Sequence, residues 1–159
     1  MLTFKLLFLL LAANGVPILL NKGLGERLAW PIDGGACFLD RRPLFGSSKT
    51  WRGLIAAIPL TGLAAAGVGL PIGVGLCIGG AAMLGDLFSS FVKRRLGVPS
   101  SGMAFGLDQI PESLFPLLVV RVELGLELTY VAALVATFVF LDLVLSRILF
   151  QLRIRQRPY

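Results

Sequence analysis

The residues best suited to chemistry lie at the end of a hydrophobic segment, in the stretch Gly85–Arg95. On helical spacing, Asp86, Ser90 and Lys93 fall on one stripe of a helix, because they are four and seven residues apart. An isolated charge in hydrocarbon costs at least about 3 kcal/mol, so an ionisable residue at such a place indicates a functional site. A carboxylate can hold a divalent cation and an ammonium can hold a phosphate. The stripe therefore predicts a site for a metal-bound phosphoryl substrate.

Composition places the chain in a membrane. Of its 159 residues, 56% are hydrophobic and only 15% are charged, and the mean hydropathy is +0.85. Soluble domains usually contain about 45–50% apolar and about 25% charged residues. We therefore expect a single integral membrane domain over residues 1–159.

The chain contains no histidine. This absence excludes the Ser-His-Asp and Cys-His triads, imidazole acid–base chemistry and histidine-ligated zinc. Cys37 and Cys77 are far apart in sequence and lack CxxC spacing, so we expect two unpaired thiols in packing roles. Chemistry must therefore use Asp, Glu, Ser, Lys and Arg, with or without a metal ion.

Apolar segments long enough to cross a bilayer predict an all-α fold with about five transmembrane helices. They run from Leu2 to about Leu20, Leu54 to about Leu70, Ile72 to about Phe91, about Leu107 to Val122, and Leu126 to Phe150. We interpret the first as a retained membrane helix, because its apolar run is long and no small-x-small cleavage pattern follows it. The fourth is the weakest, since it is short and contains Asp108, Glu112 and two prolines. We expect it to be broken or partly embedded.

Basic residues cluster in three regions that five crossings place on one side of the membrane. Thirteen of the fifteen Lys and Arg residues fall within residues 21–52, 93–95 and 147–157. The positive-inside rule then predicts an N-terminus outside and a C-terminus in the cytoplasm. The rule also offers a plain role for such cations, as topology determinants or headgroup contacts. We assign only that role to Arg153, Arg155 and Arg157.

The first basic region is a long connector rich in turn-forming residues, and such a connector inside a compact domain is usually functional. Its segment Gly46-Ser47-Ser48-Lys49-Thr50 lacks the GxxxxGK[ST] spacing of a P-loop, so we exclude that interpretation. Exposed N–H groups, two hydroxyls and a lysine ahead of a helix nevertheless suit an anion. Asp33 in the same connector is a weaker acidic candidate, and a turn role beside two glycines fits it equally well.

Several motifs carry a family resemblance. They are Asn14-Gly15-x-Pro17, Pro31-Ile32-Asp33, Arg42-Pro43-Leu44-Phe45-Gly46-x-x-Lys49-Thr50-Trp51-Arg52-Gly53, Gly85-Asp86, Ser90-Phe91-Val92-Lys93-Arg94-Arg95 and Asp108-Gln109. Together they make nearly the whole chain resemble the CDP-archaeol synthases, integral membrane CTP:lipid-phosphate cytidylyltransferases related to the phosphatidate cytidylyltransferases. The combination of KTWRG, SFVKRR and a downstream DQ is specific. The resemblance implies about five transmembrane helices and a Mg²⁺-dependent nucleotidyltransferase for phospholipid biosynthesis.

The reaction that this resemblance implies joins CTP to an ether-lipid or phosphatidate-type phosphate and gives a CDP-lipid and pyrophosphate. The expected partners are CTP, the lipid phosphate and membrane lipids, without nucleic acid, at an active site that faces the cytoplasm. Two other classes stay open. Charges clustered at one face disfavour a small membrane transporter, and carboxylates beside three cations disfavour a non-catalytic lipid-binding protein.

Each candidate residue has a role in this reaction. The attacking phosphate is already an anion, so no general base is needed and the main task is to neutralise phosphate charge. The predicted catalytic residues are Asp86, Asp108 and Lys93. The predicted substrate-binding residues are Asn14, Lys49, Arg52, Ser90, Arg94 and Arg95. Mg²⁺ is assigned to Asp86, Asp108 and Glu112. Here the chain departs from the family, whose members carry another acidic residue close to the Asp-Gln pair, and Glu112, one helical turn from Asp108, could substitute for it.

Most assignments have a structural alternative. Asp86 could form an ion pair with Lys93 or Arg94, and Asp108 could cap a helix. The Asn14 amide could bond another helix rather than a substrate. Asp142, inside the fifth apolar segment, is expected to pair with Arg147 or with another helix.

Overall fold

Five α-helices form the fold. The structure, a computed structural model, describes residues 1–100, 102 and 104–152, without the side chain of Leu149. The helices are α1 (Leu2–Leu24), α2 (Trp51–Gly67), α3 (Ile72–Arg95), α4 (Gln109–Leu124) and α5 (Leu128–Gln151). Within the described ranges no strand forms, and the isolated bridges join Pro31 to Thr50 and Cys37 to Pro43. The predicted all-α fold with five helices is confirmed, and Arg153, Arg155 and Arg157 lie outside the described residues.

The helices differ in how far they can reach across a bilayer. Helices α1 and α3, and the segment Leu128–Ile148 of α5, are long and apolar enough to cross it, whereas α2 is a shorter apolar helix of 17 residues. Helix α4 has 16 residues and continues unbroken through Pro116, so the break, one of the two alternatives expected for this segment, does not occur. Pro111 lies in its first turn, where a missing N–H costs no intrahelical bond. The direction in which the chain crosses the membrane stays a prediction.

Helix α3 is longer than predicted and carries the chemistry-bearing residues to its end. The apolar run predicted an end near Phe91, but the helix continues to Arg95 and ends in Lys93, Arg94 and Arg95. Cations are favourable at a helix C-terminus, because the last carbonyl groups carry partial negative charge. Asp86 and Lys93 therefore share one rigid helix.

Two glycines of α3 allow neighbouring helices to approach closely. A Cβ atom added at Gly75 would lie 2.6 Å from the backbone carbonyl oxygen of Thr61 in α2. A Cβ atom added at Gly85 would overlap the carbonyl group of Pro111 in α4. Small residues permit such contacts between membrane helices. The second contact brings the start of α4 against Asp86.

The main core joins all five helices, with α2 contributing the fully buried Ala65. Its fully buried side chains are Leu6, Leu9, Leu10, Val74, Ile78, Leu117, Leu134 and Phe138. A smaller cluster of Ala13, Ala57, Ala82 and Met83 joins α1, α2 and α3. These contacts fix the helix ends from which the polar side chains described below project.

The connector between α1 and α2 folds back on itself. Near its two ends, Ile32 N–H donates to Lys49 O at 2.8 Å and Trp51 N–H donates to Trp30 O at 3.1 Å. Further out, Leu44 N–H donates to Ala36 O at 3.0 Å and Phe38 N–H donates to Arg42 O at 2.8 Å. This hairpin-like segment, residues 30–51, is called the connector hairpin below.

Candidate functional site

A polar cavity of about 980 Å³ opens among the helix ends and the connector hairpin. All five helices contribute to it. Its polar and charged lining includes Asn14, Asn21, Lys22, Glu26, Ser47, Ser48, Lys49, Arg52, Asp86, Lys93, Asp108, Gln109, Glu112, Asp142 and Ser146. Binding pockets for small molecules are commonly about 300–1,000 Å³, so this cavity is large enough for a nucleotide. It contains the predicted residues Asn14, Lys49, Arg52, Asp86, Lys93, Asp108 and Glu112.

Asp86 forms an ion pair with Lys49 of the connector hairpin. Both side chains are mostly buried, with 21% of Lys49 and 19% of Asp86 exposed. Burial acts to lower the pKa of Lys49, but the negative charges of Asp86, Glu112 and Asp108 outweigh it and raise that pKa above its usual value. The surrounding carboxylates therefore favour the charged form of Lys49. The alternative expected from the sequence was an ion pair of Asp86 with Lys93 or Arg94. In the structure the ion-pair partner of Asp86 is Lys49 instead.

Glu112 lies beside Asp86. Their carboxyl groups are within hydrogen-bonding reach of each other, across the close contact between α3 and α4 at Gly85. Two carboxyl groups so near each other repel when both are ionised, so the pair favours a proton or a cation between them. Glu112 thus lies beside Asp86, one of the two aspartates with which the sequence assigned it to Mg²⁺.

Lys93 forms the second ion pair of the cavity, with Asp108. Its Nζ atom lies 2.5 Å from Asp108 Oδ1 and donates to Gly102 O at 3.1 Å. Asp108 Oδ2 accepts a hydrogen bond from Ala104 N–H at 2.9 Å. Asp108 immediately precedes α4, but its side chain makes no capping bond to that helix. The carboxylate faces Lys93 instead, and the capping alternative does not hold.

The carboxylates provide the chemistry that Mg²⁺ prefers, although the predicted three do not lie together. Among the residues described, no group of three or more Asp, Glu, Cys or His side chains is close enough to hold a metal ion. Asp86 and Glu112 are adjacent, while Asp108 is engaged by Lys93. Proteins usually hold Mg²⁺ by one or two carboxylates and substrate phosphates supply further ligands. An Asp86–Glu112 pair facing a large cavity fits that pattern.

Two predicted substrate-binding residues line the cavity and also make hydrogen bonds within the protein. Arg52 lines the cavity and donates to Arg27 O and, at 2.8 Å, to Asn21 Oδ1. Asn14 also lines the cavity, and its amide donates to Leu10 O of its own helix at 3.0 Å. Neither side chain is removed from the cavity by these bonds.

Three other predicted substrate-binding residues do not line the cavity. Ser90 is 1% exposed within α3. Arg94 donates to Ser100 Oγ and to Pro99 O, each at 2.9 Å, and so holds the segment that follows α3. Arg95 binds the connector hairpin on the far side of α3. The helical stripe predicted from Asp86, Ser90 and Lys93 therefore reaches the cavity at Asp86 and Lys93 alone.

Asp33 organises the connector hairpin. Its Oδ2 atom accepts hydrogen bonds from Gly46 N–H at 2.8 Å and Phe45 N–H at 3.0 Å, and Oδ1 accepts from Gly35 N–H at 3.0 Å. Burial acts to raise the pKa of Asp33, but these N–H groups outweigh it and hold that pKa below its usual value. The turn role considered for Asp33 is the one that the structure supports.

Sequence reasoning missed the contribution of α5. Asp142 and Ser146 line the cavity, and Gln109 Nε2 donates to Asp142 Oδ2 at 3.3 Å. Gln109 Oε1 accepts from Gly106 N–H at 3.1 Å, which holds the amide in place. The partner of Asp142 thus comes from another helix, one of the two possibilities expected. A signal was present, because Asp142 and Ser146 are one helical turn apart on an otherwise apolar helix.

Comparisons with known proteins agree with this architecture. A family model described as "CarS-like: CDP-archaeol synthase" matches residues 1–159. The chain belongs to this family. The resemblance and the enzyme class predicted from the sequence, CTP-dependent nucleotidyltransferase, are thereby confirmed.

Individual relatives carry the same name. The chain is 34% identical to a CDP-archaeol synthase of Pyrobaculum islandicum over 155 residues, covering 92% of this chain and 91% of the relative. It is 44% identical to one of Hyperthermus butylicus over 108 residues, covering 63% of this chain and 60% of that relative. A solved structure of an intramembrane enzyme for archaeal membrane lipid biosynthesis superposes with a TM-score of 0.68 at 29% identity, covering 87% of this chain and 91% of that one. The chain is accordingly an integral membrane protein.

Proposed function

We propose that this enzyme transfers the CMP group of CTP to the phosphate of a membrane ether lipid. The products are a CDP-lipid and pyrophosphate. The observation that carries the proposal is one large cavity at the ends of apolar helices where three lysines, among them Lys49 and Lys93, and several carboxylates converge. Such a cavity admits a polar nucleotide and a headgroup, while the surrounding helices remain in contact with lipid.

The reaction needs positioning and charge neutralisation rather than a base. A phosphate oxygen of the lipid attacks the α-phosphorus of CTP, a new P–O bond forms, and the bond from the α-phosphorus to the bridging oxygen of pyrophosphate breaks. The electron pair leaves with pyrophosphate. Because nucleophile and leaving group are both anions, the enzyme lowers the barrier with cations placed around the phosphates. Absence of histidine is no obstacle to such a reaction.

Lys49 and Lys93 are the cations that we assign to the phosphates. Both line the cavity, and each is held by a carboxylate that a bound metal ion and phosphates can replace as partners. Arg52 and Asn14 line the same wall and supply further donors. Their contacts orient the nucleotide and raise the chance of attack in line with the leaving group.

Mg²⁺ is the cofactor that fits the donor set, with Asp86 and Glu112 as its nearest protein ligands and Asp108 as the third candidate. When bound, it would neutralise phosphate charge and polarise the reacting phosphoryl group. We place this site at the cytoplasmic face, where the basic segments lie by the positive-inside rule. CTP is a cytoplasmic solute, so a site with that orientation can receive it.

The decisive experiment measures pyrophosphate release by purified protein in detergent. Release should require CTP, a lipid phosphate and a divalent cation together. A panel of ether-linked and ester-linked lipid phosphates identifies the hydrophobic part of the substrate, and the ether lipid should give the higher kcat/KM. Activity that survives full chelation by EDTA would exclude the metal assignment. Absence of release with every lipid phosphate would favour a transporter or a lipid-binding protein.

A further inference from the structure

Arg95 links the end of α3 to the connector hairpin by one ion pair and two hydrogen bonds. Its Nη1 atom lies 2.9 Å from Asp40 Oδ1, and its Nη2 atom donates to Arg42 O at 3.1 Å and to Pro43 O at 2.5 Å. The two hydrogen bonds to carbonyls fix the direction of the guanidinium, and the contact with Asp40 adds an ion pair.

Arg42 of the hairpin reciprocates this contact. Its Nη1 atom donates to Arg95 O at 2.6 Å and to Arg94 O at 3.3 Å. These carbonyls belong to the last turn of α3, where carbonyl groups lack the i+4 N–H donor of a continuing helix. The Arg94 carbonyl also accepts from Gly97 N–H at 3.2 Å. A guanidinium there is also favourable because it faces the negative end of the helix dipole. The two arginines thus bind each other's backbones.

Two aromatic rings complete the contact. Phe38 of the hairpin meets Phe91 of α3 edge to face, with ring centroids 5.3 Å apart. The guanidinium carbon of Arg95 lies 5.0 Å from the Phe38 centroid and 4.9 Å from the Phe91 centroid. Cation–π and edge-to-face contacts both stabilise such a group beyond the burial of the rings. We call the group Phe38, Asp40, Arg42, Phe91 and Arg95 the arginine clamp.

The clamp is connected to the cavity through the backbone of the hairpin. Leu44 N–H bonds Ala36 O, and the next residues, Phe45 and Gly46, donate their N–H groups to Asp33. Lys49 N–H then donates to Gly46 O at 3.2 Å. The segment Ser47–Lys49 lies on the cavity wall. It is therefore anchored on its N-terminal side through the clamp and on its C-terminal side by α2.

We propose that Arg95 is a positioning residue that holds the Ser47–Lys49 segment against the cavity, and not a substrate contact. The expected effect of Arg95 on CTP binding rests on the proposed function. The expected anchoring of the hairpin rests on the geometry alone. Lys49 is the only cavity lysine that the described structure places on the connector. Its position depends on how firmly the hairpin is anchored, whereas Lys93 is fixed by α3 itself.

The test is Arg95→Gln, followed by hydrogen exchange and by steady-state kinetics. Backbone amides of residues 36–48 should exchange at least about tenfold faster in the variant without any ligand, because local opening sets their protection. With substrates, the apparent KM for CTP should rise about fivefold or more while kcat changes less, as expected when binding-site order is lost. The exchange result does not depend on the identity of the reaction.

Two further variants keep the outcome interpretable. Asp40→Asn removes a clamp partner from an exposed loop position and should speed exchange of the same amides by a smaller factor. Arg41→Gln changes an exposed neighbouring arginine and should leave exchange and KM unchanged. Peptides from the α1 core report whether the whole fold has loosened. Unchanged hairpin exchange in Arg95→Gln, with or without a loss of activity, would overturn the proposal and return Arg95 to the role of a substrate contact.

Discussion

The Lys93 ammonium lies 2.5 Å from the Asp108 carboxylate, which joins the last turn of α3 to the residue that precedes α4. Lys49 and Asp86 form the corresponding pair across the cavity. Each lysine proposed for phosphate binding is thus neutralised by a carboxylate proposed for metal binding. A metal–nucleotide complex can satisfy all four groups at once, since its phosphates attract the lysines and its cation attracts the carboxylates. We therefore expect metal and nucleotide to bind cooperatively.

Asp86→Asn should be the most damaging substitution at the site. It keeps the size of the side chain but removes the charge that pairs with Lys49 and that we propose to hold the cation. Loss of metal-borne charge stabilisation costs roughly a hundredfold or more in kcat. Asp108→Asn should lower kcat in the same direction. Steady-state kinetics on variants shown to be monodisperse in detergent measures both, and near-normal turnover by Asp86→Asn would place the metal site elsewhere.

Arg155→Ala is the matched control for those two variants. Its side chain was assigned to membrane topology, so kcat and KM should change less than about twofold. A larger loss in Arg155→Ala than in Asp86→Asn would contradict the location of the site.

Lys93→Ala should have two separable effects. It removes a cation from the phosphates, and it leaves Asp108 without its partner in a largely buried place. Breaking a buried pair by removing one member is destabilising, typically by about 3–5 kcal/mol when burial is complete and by less here, because 21% of the Asp108 side chain is exposed. The double variant Lys93→Ala/Asp108→Asn should recover thermal stability but not activity. Recovery of both would mean that the pair is purely structural.

Acid should loosen the connector hairpin through Asp33. The pKa of Asp33 lies below its usual value of 3.8 in the folded chain. A carboxyl whose folded pKa is depressed stabilises the fold fully above its unfolded pKa and loses that contribution as the pH falls through the folded value. Exchange rates of the Phe45 and Gly46 amides, corrected for intrinsic pH dependence, should therefore be constant near neutrality and rise below pH 3.8.

Asp33→Asn tests the cause of this acid effect. The amide side chain cannot lose a charge, so the variant should exchange faster at neutral pH and show a weaker rise in acid. An acid rise of equal size in Asp33→Asn would assign the effect to another carboxyl group.

The sequence predicts the elements of this fold better than the contacts between them. The lengths of the apolar runs predict five helices, and the clusters of Lys and Arg indicate where several of them end. Asp86 and Lys93 share a stripe, but seven residues of helix separate them by about 10 Å along the axis, which is too far for an ion pair. The partner of Asp86 comes instead from a connector whose fold depends on Asp33 and the arginine clamp. Contacts of that kind depend on tertiary packing, and spacing along one helix cannot reveal them.

The neighbourhood of Asp86 and Glu112 likewise depends on packing, and Gly85 tests it. Gly85→Ala would force a methyl group into the backbone of Pro111 and push α4 away from α3. Overpacking of this kind costs about 1–3 kcal/mol or more. Thermal unfolding in detergent should show a lower Tm, together with weaker Mg²⁺ binding. Gly80→Ala is the matched control, because a Cβ at Gly80 meets nothing within 4 Å, and its Tm should be unchanged or slightly higher.

Membrane orientation can be tested with one of the chain's two cysteines. Cys37 is exposed in the connector hairpin, and Cys77, which lies in α3, can be replaced by alanine to leave a single thiol. We expect an impermeant maleimide to label Cys37 only from the cytoplasmic side, because this region carries the basic residues that stay inside.

In a chain without native cysteines, Leu96→Cys should label from that same side and Glu123→Cys from the opposite side, since both positions are exposed at opposite ends of neighbouring helices. Labelling of residues 37 and 96 from different sides would be incompatible with a site that both segments build, and labelling of both from outside would reverse the proposed orientation.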